Sequence, residues 1–405
     1  MNLRRQLPVY SPLTTAALRR ALLSGFTPGR NGQETFRAEL ETAYHADEAV
    51  LFGSGTQALQ VAIEWAMRLE NSRRVALPAF SCFDVAAAAV GACARVRCYD
   101  IEPATLNPDF ASLRRLLEDG VRVVVISPLY GYPVDWDAVA DLVQRFDAIA
   151  IEDAAQGNHA FWRARPLGSL GTLSVLSFGR GKGWTGGTGG ALLLRESPNG
   201  RTPRDAPLPR RTAEARVVGM LAVQWALSRP SLYALPRAIP WLRLGETTYH
   251  PPAAPQPMTR AAAACLLASQ PAAEQEAAAR RTTATMFLHA LKDAGSKQLK
   301  TIEPLPGARP GFLRLPLRFR RGCEAGEGAF AEWPAASRLG LERSYPATLP
   351  QIRQLQPSLE QRDRVPGAEE LVRTLCTVPT HSLLRPAERR ALIEILERYA
   401  RHRDP

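Results

Sequence analysis

Short apolar runs alternate with amphipathic helical patterns between residues 48 and 155. The runs at 121–130 and 148–155 are almost continuously apolar, which is typical of strands that are buried on both faces of a sheet. The segments between such runs, for example 56–69 and 135–146, carry apolar residues at helical spacing. This alternation predicts an α/β fold in which helices flank a mostly parallel central sheet.

The segment 196–250 interrupts this alternation, after two further predicted strands at 172–178 and 189–196. It is rich in proline and arginine, and its apolar part at 215–244 has arginines interleaved with aromatic residues. Such an insert could lie weakly on an anionic membrane surface. We favour the alternative that it forms a helical lid or a contact between subunits, which would bury the same residues, and both interpretations stay open.

Helical patterns dominate from residue 259 onward, with one predicted strand at 312–319 and a final helix at 386–402. Because this part lacks the regular strand–helix alternation, we predict that it forms a separate unit. The expected organisation is a large domain over 1–250 and a smaller C-terminal α+β domain over 251–405.

The chain has 405 residues, with 51 Lys and Arg against 39 Asp and Glu, and a formal net charge of +12. A basic surface suits nucleic acid, anionic lipid or phosphorylated substrates. The arginines are scattered and no aromatic-basic nucleic-acid motif occurs, so we expect no nucleic-acid partner. The N-terminus lacks the apolar core of a signal peptide, and we expect a cytoplasmic protein, at most peripheral to the inner face of the membrane.

The six cysteines form no C-x-x-C pair, and no histidine cluster accompanies them. This pattern favours free or buried thiols over disulfides and zinc ligands. We therefore expect no metal site.

Polar residues follow several predicted strands, at the sheet edge where open parallel sheets bind ligands. Gly55 and Thr56 follow one strand and begin a helix, whose free N–H groups and positive dipole end would attract an anion. Asp153 ends another strand, where its carboxylate could hold a positive charge. Taken singly, the first feature could be a plain packing turn and the second a helix cap.

Ser177 ends a further predicted strand, and Lys182 follows five residues later in a run of small residues. Phe80 and Phe83 follow the strand at 73–80 and could cover a flat ring. The alternative readings are a surface lysine and ordinary core aromatics. Together, an anion nest, a carboxylate, an amine and an aromatic cover meet the needs of pyridoxal 5'-phosphate.

Seven segments of the chain resemble, in the same order, the motifs of the DegT/StrS-type (DegT/DnrJ) sugar aminotransferases, which are fold-type-I pyridoxal phosphate enzymes. The segments are SGTQAL (54–59), LPAFSCFDVAAAA (77–89), YDIEPATLNPD (99–109), YGYPVDWDAV (130–139), IEDAAQ (151–156), GSLGTLSVLSFGRGKGWTGGTGG (168–190) and TVPTHSLL (377–384). The resemblance implies a homodimer with active sites at the subunit interface.

The resemblance also assigns roles to individual residues. Lys182 would be the covalent anchor of the cofactor and the proton shuttle, and Asp153 would pair with the pyridine nitrogen. Gln156 would lie near the ring. The phosphate would be held by Gly55, Thr56 and Ser177.

The chain departs from the family pattern at three places. Thr188 stands in GTGG where relatives often have glutamate, and Ser81 is followed by Cys82 where an aromatic residue commonly stacks on the cofactor. Phe83 is therefore our candidate for the stacking residue, with Phe80 as the alternative. The segment 244–252 lacks the asparagine that many relatives lend to the partner's phosphate site.

The implied reaction moves an amino group from L-glutamate to a keto sugar on a nucleotide, in cell-surface polysaccharide or glycosylated-metabolite biosynthesis. Two alternatives stay open: a non-sugar acceptor, and a non-catalytic regulatory or scaffold protein that kept the fold. Retention of Lys182, Asp153 and Ser177 together disfavours the scaffold. We interpret His381 in PTHSLL as structural.

Overall fold

A computed structural model describes residues 4–26, 32–195, 211–237, 247–293, 298–320 and 333–401. Its main element is a seven-stranded sheet with the strand order β1-β9-β8-β5-β4-β2-β3. The strands of this sheet are β1 (Glu48–Phe52), β2 (Arg74–Pro78), β3 (Arg95–Tyr99), β4 (Val123–Ile126), β5 (Ile149–Asp153), β8 (Leu173–Ser177) and β9 (Gly190–Leu194).

Five neighbouring strands of the sheet, from β3 through β8, run parallel to one another. Strand β9 is antiparallel to both of its neighbours, β8 and β1. The short connection from Ser177 to Gly190 permits this reversal, because antiparallel neighbours need no crossover helix. The sheet is therefore mostly parallel, as the alternation predicted, and its one reversed strand follows the lysine-bearing segment.

Helices connect the parallel strands, and three of them start at side-chain caps, whereas Cys82 before the helix that follows β2 makes no capping hydrogen bond. Ser54 accepts a hydrogen bond from Gln57 N at 3.2 Å, and Asp109 and Asp135 cap two further helices in the same way. The helices are α1 (Thr15–Phe26), α2 (Gly32–Tyr44), α3 (Gly55–Leu69), α4 (Phe83–Gly91), α5 (Phe110–Glu118), α6 (Trp136–Arg145), α7 (Arg211–Leu227), α8 (Pro230–Arg237), α9 (Arg260–Asp293), α10 (Trp333–Arg338), α11 (Pro366–Thr374) and α12 (Pro386–Arg401).

A second, four-stranded sheet lies in the C-terminal part, with the order β10-β12-β14-β13 and antiparallel pairing throughout. Its strands are β10 (Leu299–Thr301), β12 (Leu315–Phe319), β13 (Glu342–Arg343) and β14 (Leu375–Val378). Three two-residue strands, β6 (Phe161–Trp162), β7 (Arg165–Pro166) and β11 (Ala308–Arg309), form a third sheet. The smaller α+β unit agrees with the expected fold class, while the boundary near residue 250 stays a prediction.

The C-terminal part is tied to the edge of the main sheet by a buried arginine. Arg97 in β3 donates hydrogen bonds to both carboxylate oxygens of Asp363, with the shortest at 2.7 Å. Arg97 is 4% exposed and also donates to Asp119 Oδ2 at 3.1 Å, so loss of Asp363 would leave this buried charge with a single, exposed partner. Cys376 in β14 forms a disulfide, which corrects our expectation of free thiols, whereas four other cysteines are free.

The proline- and arginine-rich insert includes α7 and α8, while 196–210 and 238–246 lie outside the described residues. Helix α7 packs against α1 and α9, and Arg229 lies 4.0 Å over the ring of Trp225. Of the interleaved residues that suggested membrane contact, Trp241 and Arg243 also fall outside the described ranges. Among the helices described here, none is long and apolar enough to cross a membrane.

Candidate active site

Six of the seven predicted site residues line one small cavity at the carboxyl-terminal edge of the main sheet. They are Gly55, Thr56, Asp153, Gln156, Ser177 and Lys182. Ser81, Cys82, Asp84 and Ser127 also line this cavity. Because these residues come from strands and helices far apart in sequence, the topology of the sheet brings them together.

Phe83 is the predicted site residue that does not line this cavity. It is the first residue of α4, it is 8% exposed, and it belongs to the hydrophobic core. The stacking role predicted for Phe83 therefore gains no support from the cavity. Cys82, the residue before it, lines the cavity instead, and burial is the main reason that the pKa of its thiol rises to about 12.

The N-terminus of α3 forms a cradle in which any Cβ would clash. A Cβ at Gly55 would lie 2.5 Å from Ser177 Cβ, and one at Gly190 would lie 2.5 Å from Gly55 N. Both glycines thus allow β8 and β9 to approach the first turn of α3. Free N–H groups at this helix start, with the hydroxyls of Thr56 and Ser177 beside them, suit a phosphate group.

Asp153 ends β5 with its carboxylate held in place from two sides. Oδ2 accepts a hydrogen bond from Ser127 Oγ at 3.1 Å, and Oδ1 accepts one from Ala155 N at 3.2 Å. Burial raises the pKa of Asp153, while the nearby positive charge of Lys182 opposes this rise. A buried carboxylate with a cation nearby is suited to hold a protonated ring nitrogen.

Lys182 lies half-buried in the connection between β8 and β9, flanked by Gly181 and Gly183. These glycines have φ angles of 75° and 81°, which a residue with a Cβ rarely adopts. Ser11 Oγ accepts a hydrogen bond from Gly183 N at 3.2 Å, so the N-terminal segment holds this turn. The turn presents the lysine to the cavity that contains Asp153.

Thr188, the threonine of GTGG, forms a hydrogen bond to the glycine turn before α3. Its hydroxyl donates a hydrogen bond to the carbonyl oxygen of Gly53, which also accepts one from Gly189 N at 2.9 Å. The threonine therefore joins the lysine-bearing connection to the glycine turn before α3.

Gln156 joins the predicted site to two tyrosines that the sequence did not indicate. Its Oε1 accepts a hydrogen bond from Tyr130 N, and its Nε2 donates one to the hydroxyl of Tyr345, both at 2.8 Å. The Tyr345 ring lies 5.2 Å from that of Phe80, measured between centroids. Ser127 was also missed, although it follows β4 and the strand-end rule could have found it.

A larger cavity of about 450 Å³ adjoins the first, and Gln156 and Lys182 line both. Its walls come from residues 7–11, from α7 and α8, and from β13, β14 and the residues just before β12 in the C-terminal sheet. Such a volume suits a ligand of drug-like size, so a substrate could reach Lys182 from this side. Within the described ranges, no group of three or more His, Cys, Asp and Glu residues is placed to hold a metal ion.

His381 lines neither cavity and is 2% exposed. Its Nε2 lies 2.8 Å from the carbonyl oxygen of Leu7 and donates to it in the neutral tautomer that this contact requires. Burial lowers the pKa of His381 to about 4. These contacts agree with a structural role.

Curated relatives match this chain over part of its length. It is 29% identical over 199 residues to 3-amino-5-hydroxybenzoate synthase of Amycolatopsis mediterranei, covering 49% of this chain and 50% of that protein. It is 31% identical over 166 residues to GDP-perosamine synthase of Caulobacter vibrioides, covering 40% and 44%. The chain thus spans about half the length of the curated relatives it matches.

Solved structures match the fold over nearly the whole chain. AtS13 from Actinomadura melliaura aligns with a TM-score of 0.73 at 20% identity, covering 98% of this chain and 100% of that one. A Streptococcus pneumoniae protein solved in PMP and PLP forms aligns with TM-scores of 0.73 and 0.71 at 15% and 14% identity, covering at least 97% of each chain. At these identities the likeness shows the fold, and it confirms the predicted fold class.

The family model that matches is the DegT/DnrJ/EryC1/StrS aminotransferase family, and it covers residues 12–397. This match extends over both the main sheet and the C-terminal sheet, so it confirms the resemblance in the motifs. The chain therefore belongs to the DegT/DnrJ/EryC1/StrS aminotransferase family, whose cofactor is pyridoxal phosphate.

Proposed function

We propose that this protein is an aminotransferase that moves an amino group from L-glutamate to a keto sugar carried on a nucleotide. The observation that supports this most directly is that Lys182, Asp153 and the cradle at Gly55 share one cavity. A scaffold that had merely kept the fold would not need all three. The product would serve cell-surface polysaccharide or glycosylated-metabolite biosynthesis.

The residues fit the cofactor by chemical type. The cradle at Gly55 and Ser177 would bind the phosphate, Asp153 would hold the ring nitrogen protonated, and Lys182 would anchor the cofactor through Nζ. Pyridoxal phosphate, when bound, supplies an electron sink that lets the α-carbon of an amino donor lose its proton. Gln156, fixed by its bonds to Tyr130 and Tyr345, would orient the ring.

Lys182 would also carry the proton transfers. When it is not bound to the cofactor, Nζ would act as a general base that takes the proton from the donor's α-carbon. In the second half of the reaction the acceptor's carbonyl oxygen would leave as water when the amino nitrogen bonds to its carbon, and Nζ would then deliver a proton to that carbon. Its place between the two cavities suits both steps, because each substrate would meet the same amine.

A non-sugar cyclic ketone is the second candidate acceptor. Among the matching relatives, one is named for a hydroxybenzoate product and several for inosose substrates with L-glutamine as donor. The chain departs from the family pattern in the lysine-bearing connection, with Thr188 in place of glutamate. L-glutamine should therefore be tested as a donor beside L-glutamate, and inososes beside keto sugar nucleotides.

The deciding experiment is a visible absorption spectrum of the purified protein before and after addition of an amino donor. We expect a yellow protein whose band shifts on addition of L-glutamate, and no shift in Lys182→Ala. Lys300→Ala is the matched control, because Lys300 lies in β10 and lines neither cavity. A colourless protein that does not take up pyridoxal phosphate would favour a regulatory role, as in the relative named pleiotropic regulatory protein.

We further propose a cytoplasmic homodimer, with α7 and α8 either at the subunit contact or weakly on the inner membrane face. Val223 and Leu232 on these helices are 58% and 37% exposed, which suits either surface. Light scattering would measure the mass of the particle, and flotation with anionic liposomes at low salt would test lipid binding. Absence of co-flotation would remove the membrane proposal.

A further inference from the structure

Arg314 is a buried cation in the wall of the larger cavity. It immediately precedes β12 and is 8% exposed. One edge of its guanidinium is fixed by backbone, because Nη2 donates to the carbonyl oxygens of Gly340 at 3.1 Å and Thr377 at 2.9 Å. These two bonds hold the side chain in place without neutralising its charge.

The rest of the guanidinium is weakly paired. Nη1 lies 3.5 Å from Glu342 Oε2, which is at the limit of a hydrogen bond, and Nε has no hydrogen-bond partner among the described residues. A guanidinium presents its donors as a planar fork that matches a carboxylate or a phosphate with two bonds. Arg314 therefore has donors left for an anionic oxygen group.

The charges around the cavity favour the same ligand. Its described lining contains four cationic side chains, Arg180, Lys182, Arg314 and Arg343, and one carboxylate, Glu342. Arg180 and Arg343 are exposed, whereas Arg314 is buried, where its interactions are least screened by water. The cavity is thus positively charged, with its least solvated cation on the small-domain side.

We propose that Arg314 binds an anionic group of a substrate, a carboxylate or a phosphate, in the cavity next to Lys182. Glu342 is its weak internal partner and competes with that ligand. The inference rests on the proposed function, since the anion belongs either to the amino donor or to the acceptor. The carbonyl oxygens of Gly340 and Thr377 position the guanidinium of Arg314 and do not contact the ligand themselves.

Two probes test the site without turnover. Glutarate is an unreactive dicarboxylate, and pyrophosphate stands for a nucleotide's phosphates; their binding is measured by calorimetry. In Arg314→Gln we expect the dissociation constant of at least one probe to rise about tenfold or more, through loss of charge-assisted hydrogen bonds. Arg314→Lys should recover part of the affinity. Arg318→Gln is the matched control, because Arg318 lies four positions later, in β12. It pairs with Glu370 and lines neither cavity.

For Glu342→Gln we expect the opposite change in probe affinity. Removal of the competing carboxylate should tighten probe binding severalfold, which a loss of folding could not mimic. This variant keeps the proposal testable if Arg314→Gln proves unstable. Unchanged affinity for both probes in Arg314→Gln and in Glu342→Gln would overturn the proposal.

Half-reactions then identify the source of the anion. If Arg314 binds the donor, Arg314→Gln raises the KM for L-glutamate in the donor half-reaction but not for a primary amine without a carboxylate. If it binds the acceptor, the donor half-reaction is unchanged and the acceptor half-reaction is impaired. Failure of the proposed function looks different, because the wild type would then show no spectral change with any donor, while probe binding still tests Arg314.

Discussion

Gly183 lies against the guanidinium of Arg280: a Cβ at position 183 would come 3.0 Å from Arg280 Nη1. Arg280 is 1% exposed, and its three guanidinium nitrogens have no hydrogen-bond partner among the described residues. The long helix α9 therefore places the buried guanidinium of Arg280 in contact with Gly183, the residue that follows Lys182. A side chain at position 183 would displace either the guanidinium of Arg280 or the lysine-bearing turn.

We predict that Gly183→Ala weakens cofactor binding and destabilises the protein. Its φ of 81° disfavours alanine, and the close contact with Arg280 adds to the strain, so the cost in unfolding free energy should exceed about 1 kcal/mol. Absorbance titration with pyridoxal phosphate and urea unfolding would measure both effects. Gly219→Ala in α7, where a Cβ meets nothing within 4 Å, is the control and should stabilise by about 0.5–1 kcal/mol. Equal behaviour of the two variants would contradict this account.

Glu152→Gln should be among the most destabilising conservative changes in the chain. Glu152 is fully buried and accepts hydrogen bonds from Gly168 N, Leu170 N, Gly171 N and Ser174 Oγ. An amide replaces one acceptor oxygen by a donor that would face these donors, so we expect a loss of about 3 kcal/mol in unfolding free energy.

The matched control for this change is Glu118→Gln, at an exposed position in α5, which should change stability by less than about 0.5 kcal/mol. Thermal and urea unfolding of both variants would give the comparison. A loss below about 1 kcal/mol in Glu152→Gln would mean that the loop at 168–171 does not depend on this carboxylate.

The protein should lose stability as the pH falls from about 6.5 to about 4, partly through His381. Its pKa is lowered to about 4 by burial, whereas the unfolded chain binds a proton near pH 6.5. In this window the unfolded state holds more protons than the native state, so protonation favours unfolding by about 1.4 kcal/mol per pH unit. His159, whose pKa burial also lowers to about 4, contributes in the same direction.

His381→Gln keeps a donor for the Leu7 carbonyl and removes the titration. Urea unfolding at several pH values between 4 and 7 should therefore show a shallower pH dependence than in the wild type. His159→Gln should remove a similar share. A slope that neither variant changes would place the titrating groups elsewhere.

Asp153→Asn should slow the donor half-reaction at least a hundredfold while the protein stays folded. An amide cannot keep the ring nitrogen protonated, and the electron sink weakens accordingly. Ser127→Ala removes the 3.1 Å hydrogen bond to Asp153 but leaves the carboxylate, so a loss below about tenfold is expected. Stopped-flow absorbance would measure both rates. A larger loss in the serine variant than in the asparagine variant would contradict the assigned roles.

The predictable part of the site lies at the ends of strands. Asp153 and Ser177 end β5 and β8, and Gly55 begins the helix after β1, so the rule for parallel sheets brings them together. Tyr345 and Arg314 could not be found in this way. Both line the larger cavity from the C-terminal part of the chain, more than 130 positions after Lys182. No local sequence pattern indicates that they lie near the lysine.

Local sequence patterns also could not predict the direction of β9 or the side on which Phe83 packs. Apolar composition marks a buried strand but not its direction, and the direction follows from the short connection that carries Lys182. Two aromatic residues near a strand end could equally cover a ring or fill the core. Phe83 packs into the core, since helical phase at the start of α4 decides which side chain faces the cavity.

Ser177 and Gly190, the two ends of the connection that carries Lys182, are partners in one rung of the sheet. Lys182 thus lies on a loop that is anchored to the sheet at both ends, while the larger cavity is lined by residues 7–11, α7, α8 and residues of the C-terminal sheet. Exposed wall positions such as Val223 can change without disturbing the anchor, whereas Ser11 and Gln224 bond to the lysine-bearing connection. Under the proposed function, a protein engineer would change the acceptor by randomising exposed wall positions such as Val223, while the sheet, Ser11 and Gln224 are kept.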